Sequence, residues 1–431
     1  MRGGLFLRLQ VPYGSGFLPL ELEGRMPFEV AEPRFSPPDD HALQKALSNP
    51  INFADLHSFL TSRKKVLVVV NDQSRPTPTR EVLALLELRG KDVTTVVATG
   101  AHRLPTKPEL LAILGGTTPP YGGSIVTHNA RDETRLVYLG RTSRGTEVHL
   151  NKLAFEADGL IVIGSVEPHY FAGFTGGRKF LLPGLAGFRS IEMNHSLALD
   201  AKSKLMVLDG NPIHEDFMDA LNLFGRDEDI FSIQLVTNFE HRIIHVSAGH
   251  IVDSFTRAAR VAKRTYSAPI KSKADIVMTV ARPPFDIDLY QSQKAIENAK
   301  MALKNGGVVV LVSKCGEGIG DRGFYDLMAS GGDILRKIRE GYRLGYHKAA
   351  KFVELMQRAQ IWAVTDLPPT TLERIGIRPF NDIQSAVTEA TKLLGRGSSL
   401  LLVPDGGLTY PAPRSRTSVG RSGRWKEKSN Q

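Results

Sequence analysis

Short runs of aliphatic and β-branched residues punctuate the chain without alternating with polar ones. Residues 65–70, 93–98, 157–164, 274–280, 307–313, 361–364 and 399–403 are each near-continuous in apolar character. A strand with one wet face reads apolar and polar in turn, so unbroken runs predict strands buried on both faces. Between them lie helix-like segments, among them 81–88 and a helix over about 292–304 with Ala295 and Ala299 on its small packing face. Strand, loop and helix in repetition predict an α/β fold, mainly parallel sheets flanked by helices. Leu5, Leu7, Leu9 and Val11 do alternate, which predicts a strand; the apolar stretch there is too short for a signal peptide.

A length of 431 residues predicts two domains, and the polar, proline-marked segment at 265–273 is the natural boundary. The expected units are 1–268, 269–410 and a basic, disordered tail at 411–431. That tail carries Arg414, Arg416, Arg421, Arg424, Lys426 and Lys428 against Glu427 alone. It therefore accounts for half of the net charge of +10, and the remainder is too modest to argue for a nucleic-acid partner. No run of 18 apolar residues predicts a membrane span, and a single cysteine fits a reducing cytoplasm without disulfides.

The candidate chemistry lies in loops that follow strands, where parallel sheets gather their functional groups. After the first run come Asp72, Gln73, Ser74, Arg75 and Thr77, held between Pro76 and Pro78. Arg75 suits a carboxylate or phosphate; equally, the loop reads as a helix start capped by Thr77 or Thr79. After the second run stands His102, a general base or a loop-capping imidazole, with Thr106 and Glu109 spaced as a capping box. After the third, residues 167–184 hold His169, Gly173, Gly176, Gly177 and Lys179, with His195 further on. The glycines let backbone approach a ligand or offer amides to an anion, and Lys179 is either a point charge for phosphate or a nucleophile of lowered pKa. The spacing of a phosphate-binding P-loop is absent, as is the dinucleotide fingerprint. His195 has no partner at metal spacing, so a metal there would need most of its ligands from elsewhere. Cys315, His149, His214 and His241 read as structural or surface residues, and Asp405 as a ligand contact or a turn start.

Taken in order, NDQSRPTPT, GAHR, EPHYFAGFTGGRK, LLPG, His195, GNPIHED (210–216) and LYQSQKA (289–295) resemble the nickel-pincer-nucleotide lactate racemase family over roughly residues 5–410. The resemblance implies an isomerase that inverts Cα of a 2-hydroxy acid by reversible hydride transfer, with its active site in the cleft between the domains. The implied cofactor is a pyridinium-3-thioamide-5-thiocarboxylate mononucleotide carrying nickel, attached at Lys179, with Asp72, Gly176 and Gly177 beside it. His195 would be the one protein ligand to the metal, and square-planar geometry suits Ni(II). His102 and His169 match the two catalytic histidines, one proton carrier for each enantiomer. Arg75, Gln291 and Lys294 match residues that hold or orient the substrate. The first domain would carry attachment and catalysis, the second substrate orientation; the partners implied are the substrate and cofactor-synthesis enzymes. Departures from the pattern are Gln73, Ser74 and Arg178, while Tyr170, Phe171 and Gln293 are expected to line the side-chain pocket. They leave open a larger 2-hydroxy acid or an aldonate as substrate. A non-catalytic carrier of the nickel nucleotide is the alternative of a different class.

Overall fold

The unbroken apolar runs become the inner strands of two six-stranded sheets. The computed structural model describes residues 6–413, so the predicted tail lies outside the described residues from 414 onward. The first sheet has the order Ile243–Gly249, Ile230–Thr237, Gly159–Ser165, Lys65–Asn71, Asp92–Ala98, Ser124–Thr127, parallel except for its first pair. The second has the order Arg378–Pro379, Gln360–Val364, Leu303–Val312, Ala274–Val280, Leu400–Val403, Phe28–Val30 and is parallel throughout.

Period two explains why the centres of these strands do not alternate between apolar and polar positions. Val66, Val68 and Val70 enter one apolar cluster with Ile161 and Ile163, while Leu67 and Val69 enter another with Leu160 and Val162 on the opposite face. In the second sheet Ile276, Met278 and Val280 face one way and Val277 the other. Helices cover both faces, so each strand must be apolar on both.

The domain limits depart from the expectation. Phe28–Val30 belongs to the second sheet, pairing with Leu400–Val403. The hairpin of Phe6–Tyr13 and Gly16–Glu23 also packs there, burying Val11, Leu20 and Leu22 with Met278, Val310 and Trp362. The first unit is therefore not continuous from residue 1. The presumed linker is itself a strand, Ser267–Ile270, parallel to Tyr410–Pro413, so strand pairing extends into the first positions assigned to the tail. Just before it, Tyr266 is buried and donates its hydroxyl to the carbonyl of Thr237 at 2.7 Å.

Two helices are shorter than their patterns suggest. The first spans only Thr79–Leu83, because Leu86 and Leu88 are both buried and residues two apart cannot share a helix face. The second runs Leu289–Ala299, capped by Asp288, and gives way to a 3-10 turn before the strand that starts at Leu303.

Candidate active site

The loops after Asn71, Ala98 and Ser165 of the first sheet open towards residues of the second unit and enclose a cavity of about 220 Å³. Asp72, Arg75, His102, Gly176, Gly177, Lys179 and His195 line it, with Tyr290 and Asp321 contributed from across the cleft. Seven of the ten residues selected from sequence thus share one cavity. Outside it lies a wider opening of about 740 Å³, which shares Ser74, His102 and Asp321 and is lined also by Gln291.

His102 and Asp72 come from different loops and meet at 2.7 Å, Nδ1 to Oδ2. Asp72 also accepts from the hydroxyl of Ser74 at 2.6 Å and its backbone N–H at 3.1 Å. Burial opposes the charge on Asp72, yet His102, Ser74 and Arg75 together hold its carboxyl below the usual range. A carboxylate only accepts, so Nδ1 of His102 carries the proton and Nε2 is left as an acceptor. This is the geometry of an oriented base, and the loop-capping reading of His102 falls away. The predicted capping box nearby is present, with Glu109 also gripping Arg103 through both guanidinium nitrogens. Thr77 caps nothing: it accepts from Asn71 at 2.7 Å and donates to Ser165 at 3.2 Å, tying two strand ends together.

Lys179 lies on a 3-10 turn, Gly177–Phe180, that the glycines make possible. Gly176 and Gly177 have φ of +82° and +54°, and a Cβ on Gly177 would lie 2.6 Å from the Phe255 ring. Their task is close packing. The Gly177 amide donates to Gln234 at 2.7 Å, so it is not offered to an anion as the sequence suggested. The Lys179 amine sits 6.0 and 5.7 Å from the rings of Phe171 and Phe217. Burial, with Arg75 and Arg178 nearby, pushes its pKa well below the usual lysine value, which favours a free amine at neutral pH. Arg178 is fully buried over Phe255 and donates to the carbonyls of Ala172, Phe174 and Gly176 and to His214 Nδ1. His214 is therefore a structural acceptor inside the fold, not a surface residue.

His195 lies near the end of the helix Phe188–Ser196. Burial, Lys179 and His102 lower its pKa to about 3, so it is a neutral imidazole. Among the described residues no group of three or more His, Cys, Asp or Glu side chains could hold a metal ion. A metal at His195 would thus need most of its ligands from outside these side chains.

A second, tighter space of about 10 Å³ adjoins Arg75 and is lined by His169, Tyr170, Phe285, Lys294 and Asn298. Arg75 lines both spaces. One of its nitrogens bonds Glu167 at 3.2 Å, leaving the rest of the fork for another acceptor. Lys294 lies 4.6 Å from the Phe285 ring centroid, and burial with Arg75 and Lys348 depresses its pKa well below normal. His169 accepts at Nδ1 from the Ala172 N–H at 3.3 Å, and burial with Lys179, Arg75 and Lys294 keeps it neutral. Phe171 stands edge-on to His169 and to His195, with centroids 4.4 and 5.1 Å away, as a spacer between the two imidazoles. Of the three expected pocket residues, Tyr170 lines this space; Phe171 and Gln293 line neither, Gln293 being buried and donating to the Lys348 carbonyl.

Several participants carried no signal that singled them out. Glu167 opens the motif but reads as an ordinary acid until Arg75 lands on it. His347 is buried 5.9 Å from the His195 ring, its Nδ1 2.7 Å from the Tyr342 hydroxyl, and it belongs to no motif. Cys315 is buried between Ser292 and Ser313, and Asp405 is buried, its carboxyl pushed up to about 7 by desolvation.

Comparison with known proteins gives this arrangement its relatives. The model of the lactate racemase N-terminal domain matches residues 13–206, and that of the C-terminal domain matches residues 270–408. The lactate racemase of Thermoanaerobacterium thermosaccharolyticum is 29% identical over 420 residues, covering 92% of this chain and 97% of the relative. That of Lactiplantibacillus plantarum is 27% identical over 384 residues, covering 85% and 90%. The solved apoprotein from T. thermosaccharolyticum superposes with a TM-score of 0.87 at 27% identity, over 95% of this chain and 100% of that one. A Thermotoga maritima structure, at 17% identity and a TM-score of 0.70 over 88% and 100%, shares the fold. The chain belongs to the lactate racemase family.

Proposed function

We propose that the chain is an isomerase that racemises or epimerises a lactate-like 2-hydroxy acid, with a nickel pincer nucleotide attached at Lys179. The observation that carries this reading is the convergence of two differently held histidines, His102 and His169, on spaces joined by Arg75. A protein that only carried a cofactor would have no use for an Asp72-oriented base.

The residues present fit the implied group. Lys179 supplies a partly buried amine of lowered pKa for a covalent link, and His195 a neutral imidazole on the same cavity. Asp72, Gly176 and Gly177 form the adjoining wall, and the outer opening gives the nucleotide portion room. When bound, the group would supply an electron-poor ring able to accept and return hydride, sparing a carbanion beside a carboxylate.

The remaining work falls to side chains. Arg75 and Lys294 hold the substrate carboxylate, with Glu167 fixing the guanidinium in place. His102 takes the hydroxyl proton at Nε2 for one enantiomer, and Asp72 stabilises the imidazolium that results. His169 handles the proton on the opposite face. Gln291 orients the substrate from the outer opening. Interleaved aromatic groups, Tyr170 and Phe171, keep water away from the reacting carbon.

Racemisation of L-lactate in D2O tests the chemistry. Hydride return keeps protium at Cα in the product, whereas deuterium at Cα in the early product would show proton abstraction and sink the hydride reading. The same assay on larger 2-hydroxy acids and aldonates identifies the substrate.

A further inference from the structure

Gly210–Asp216, singled out in the sequence, places Asp216 on the first turns of the helix Pro212–Phe224, and the proposed chemistry gives it no task. Asp216 is fully buried, and no cation pairs with it among the described salt bridges. Its carboxylate accepts from Thr142 Oγ1 at 2.5 Å, Thr146 Oγ1 at 2.8 Å and Asn194 Nδ2 at 2.7 Å. Asn194 is also fully buried, and its Oδ1 lies 3.1 Å from Nδ1 of His195. We propose that Asp216 and Asn194 are positioning residues that lock His195 in one tautomer, proton on Nδ1, so that bare Nε2 faces the cavity. Its purpose rests on the nickel reading above.

Each step follows from which atoms can donate. A carboxylate has only acceptors, so the Asn194 amide must turn its NH2 towards Asp216. That leaves Oδ1 for His195, and an amide oxygen also only accepts. Nδ1 must therefore hold the proton, and Nε2 keeps its lone pair. The threonines are oriented in the same way: Thr142 Oγ1 accepts from the Thr146 N–H at 3.0 Å, which aims its own proton at Asp216.

The arrangement goes beyond what packing needs. A buried carboxylate without a cation is costly, and apolar side chains of similar size would often serve stability as well. What the anion adds is polarity: it strengthens the amide as an acceptor, which makes Nε2 a better donor to a metal. The same helix braces the attachment loop elsewhere. Asn211 caps the helix with Oδ1 while its Nδ2 donates to the carbonyl of Phe171 at 2.8 Å, and His214 accepts from Arg178. With no other metal-ligating cluster among the described residues, a metal held here would depend on the one ring of His195, so its orientation would matter more than in a site with several histidines.

Two measurements on the full chain test this. In the cofactor-free protein with ¹⁵N-labelled histidine, NMR reads the tautomer of His195, assigned by its loss in His195→Gln. The expected state is Nδ1–H, shifting towards a mixture in Asn194→Leu and Asp216→Asn. A wild-type ring protonated at Nε2 would overturn the proposal, whether or not any variant folds. In chain loaded by co-expression with cofactor-synthesis enzymes, both variants should release nickel to EDTA at least ~10-fold faster than wild type, in line with outer-shell changes at other metal sites. Equal retention in folded variants would also overturn it. A wild-type chain that never takes up nickel would contradict the proposed function instead, and the tautomer result alone would then judge the inference.

Discussion

His102 and His169 differ in what holds them. The first gives its Nδ1 proton to Asp72, whereas the second receives a backbone N–H at the same atom. A ring held like His102 is set to take a proton at Nε2. Asp72→Asn keeps the shape but offers an NH2 where the imidazole needs an acceptor, turning the ring to the wrong tautomer. The expected outcome is a fall in kcat of about 10²–10⁴-fold with an unchanged melting temperature, read by polarimetry and calorimetry. Activity within a few-fold of wild type would remove Asp72 from the mechanism. The types of these residues and their place after strands were legible in the sequence. Their pairing was not, because 30 positions separate Asp72 from His102 and only the parallel register of Lys65–Asn71 on Asp92–Ala98 brings the loops together. Arg75 and Glu167 were hidden in the same way.

At the scale of elements, the glycine turn bearing Lys179 is fixed by packing from both sides. Gly177 sits against Phe255, and the Arg178 guanidinium satisfies the backbone carbonyls of Ala172, Phe174 and Gly176, which lead into the turn. Gly177→Ala meets the Phe255 ring and a left-handed backbone together. It should cost about 1–3 kcal/mol and displace Lys179, seen as a lower denaturation midpoint and reduced covalent loading. An unchanged midpoint would mean the turn is not held as described. The strands were the most legible elements, since burial on both faces leaves an unmistakable apolar run. Helix ends were the least. Thr79–Leu83 stops early because Leu86 and Leu88 answer to tertiary burial, a demand that local pattern does not record.

The whole molecule is built on two mainly parallel six-stranded sheets whose loops meet at one cavity, and two units were legible from length. Their membership was not. Pairing of Phe28–Val30 with Leu400–Val403 spans almost the entire chain, and no local signal announces it. Val11, Leu20 and Leu22 each contribute roughly 1.5–3 kcal/mol by burial on the second unit, so together they rival a domain's net stability of about 5–15 kcal/mol. A chain lacking residues 1–31 should therefore be insoluble or unfold far below the full chain, with the loss centred on the second unit in hydrogen exchange. A truncated protein of normal stability would contradict that packing.

Everything proposed for the site depends on a nickel-bearing nucleotide being joined to Lys179. Intact-mass spectrometry with metal analysis, on chain co-expressed with the cofactor-synthesis enzymes, tests it directly. The expected result is a covalent adduct mapping to Lys179 and about one nickel per chain, both lost in Lys179→Ala. An unmodified Lys179 in a folded, nickel-free chain would contradict it.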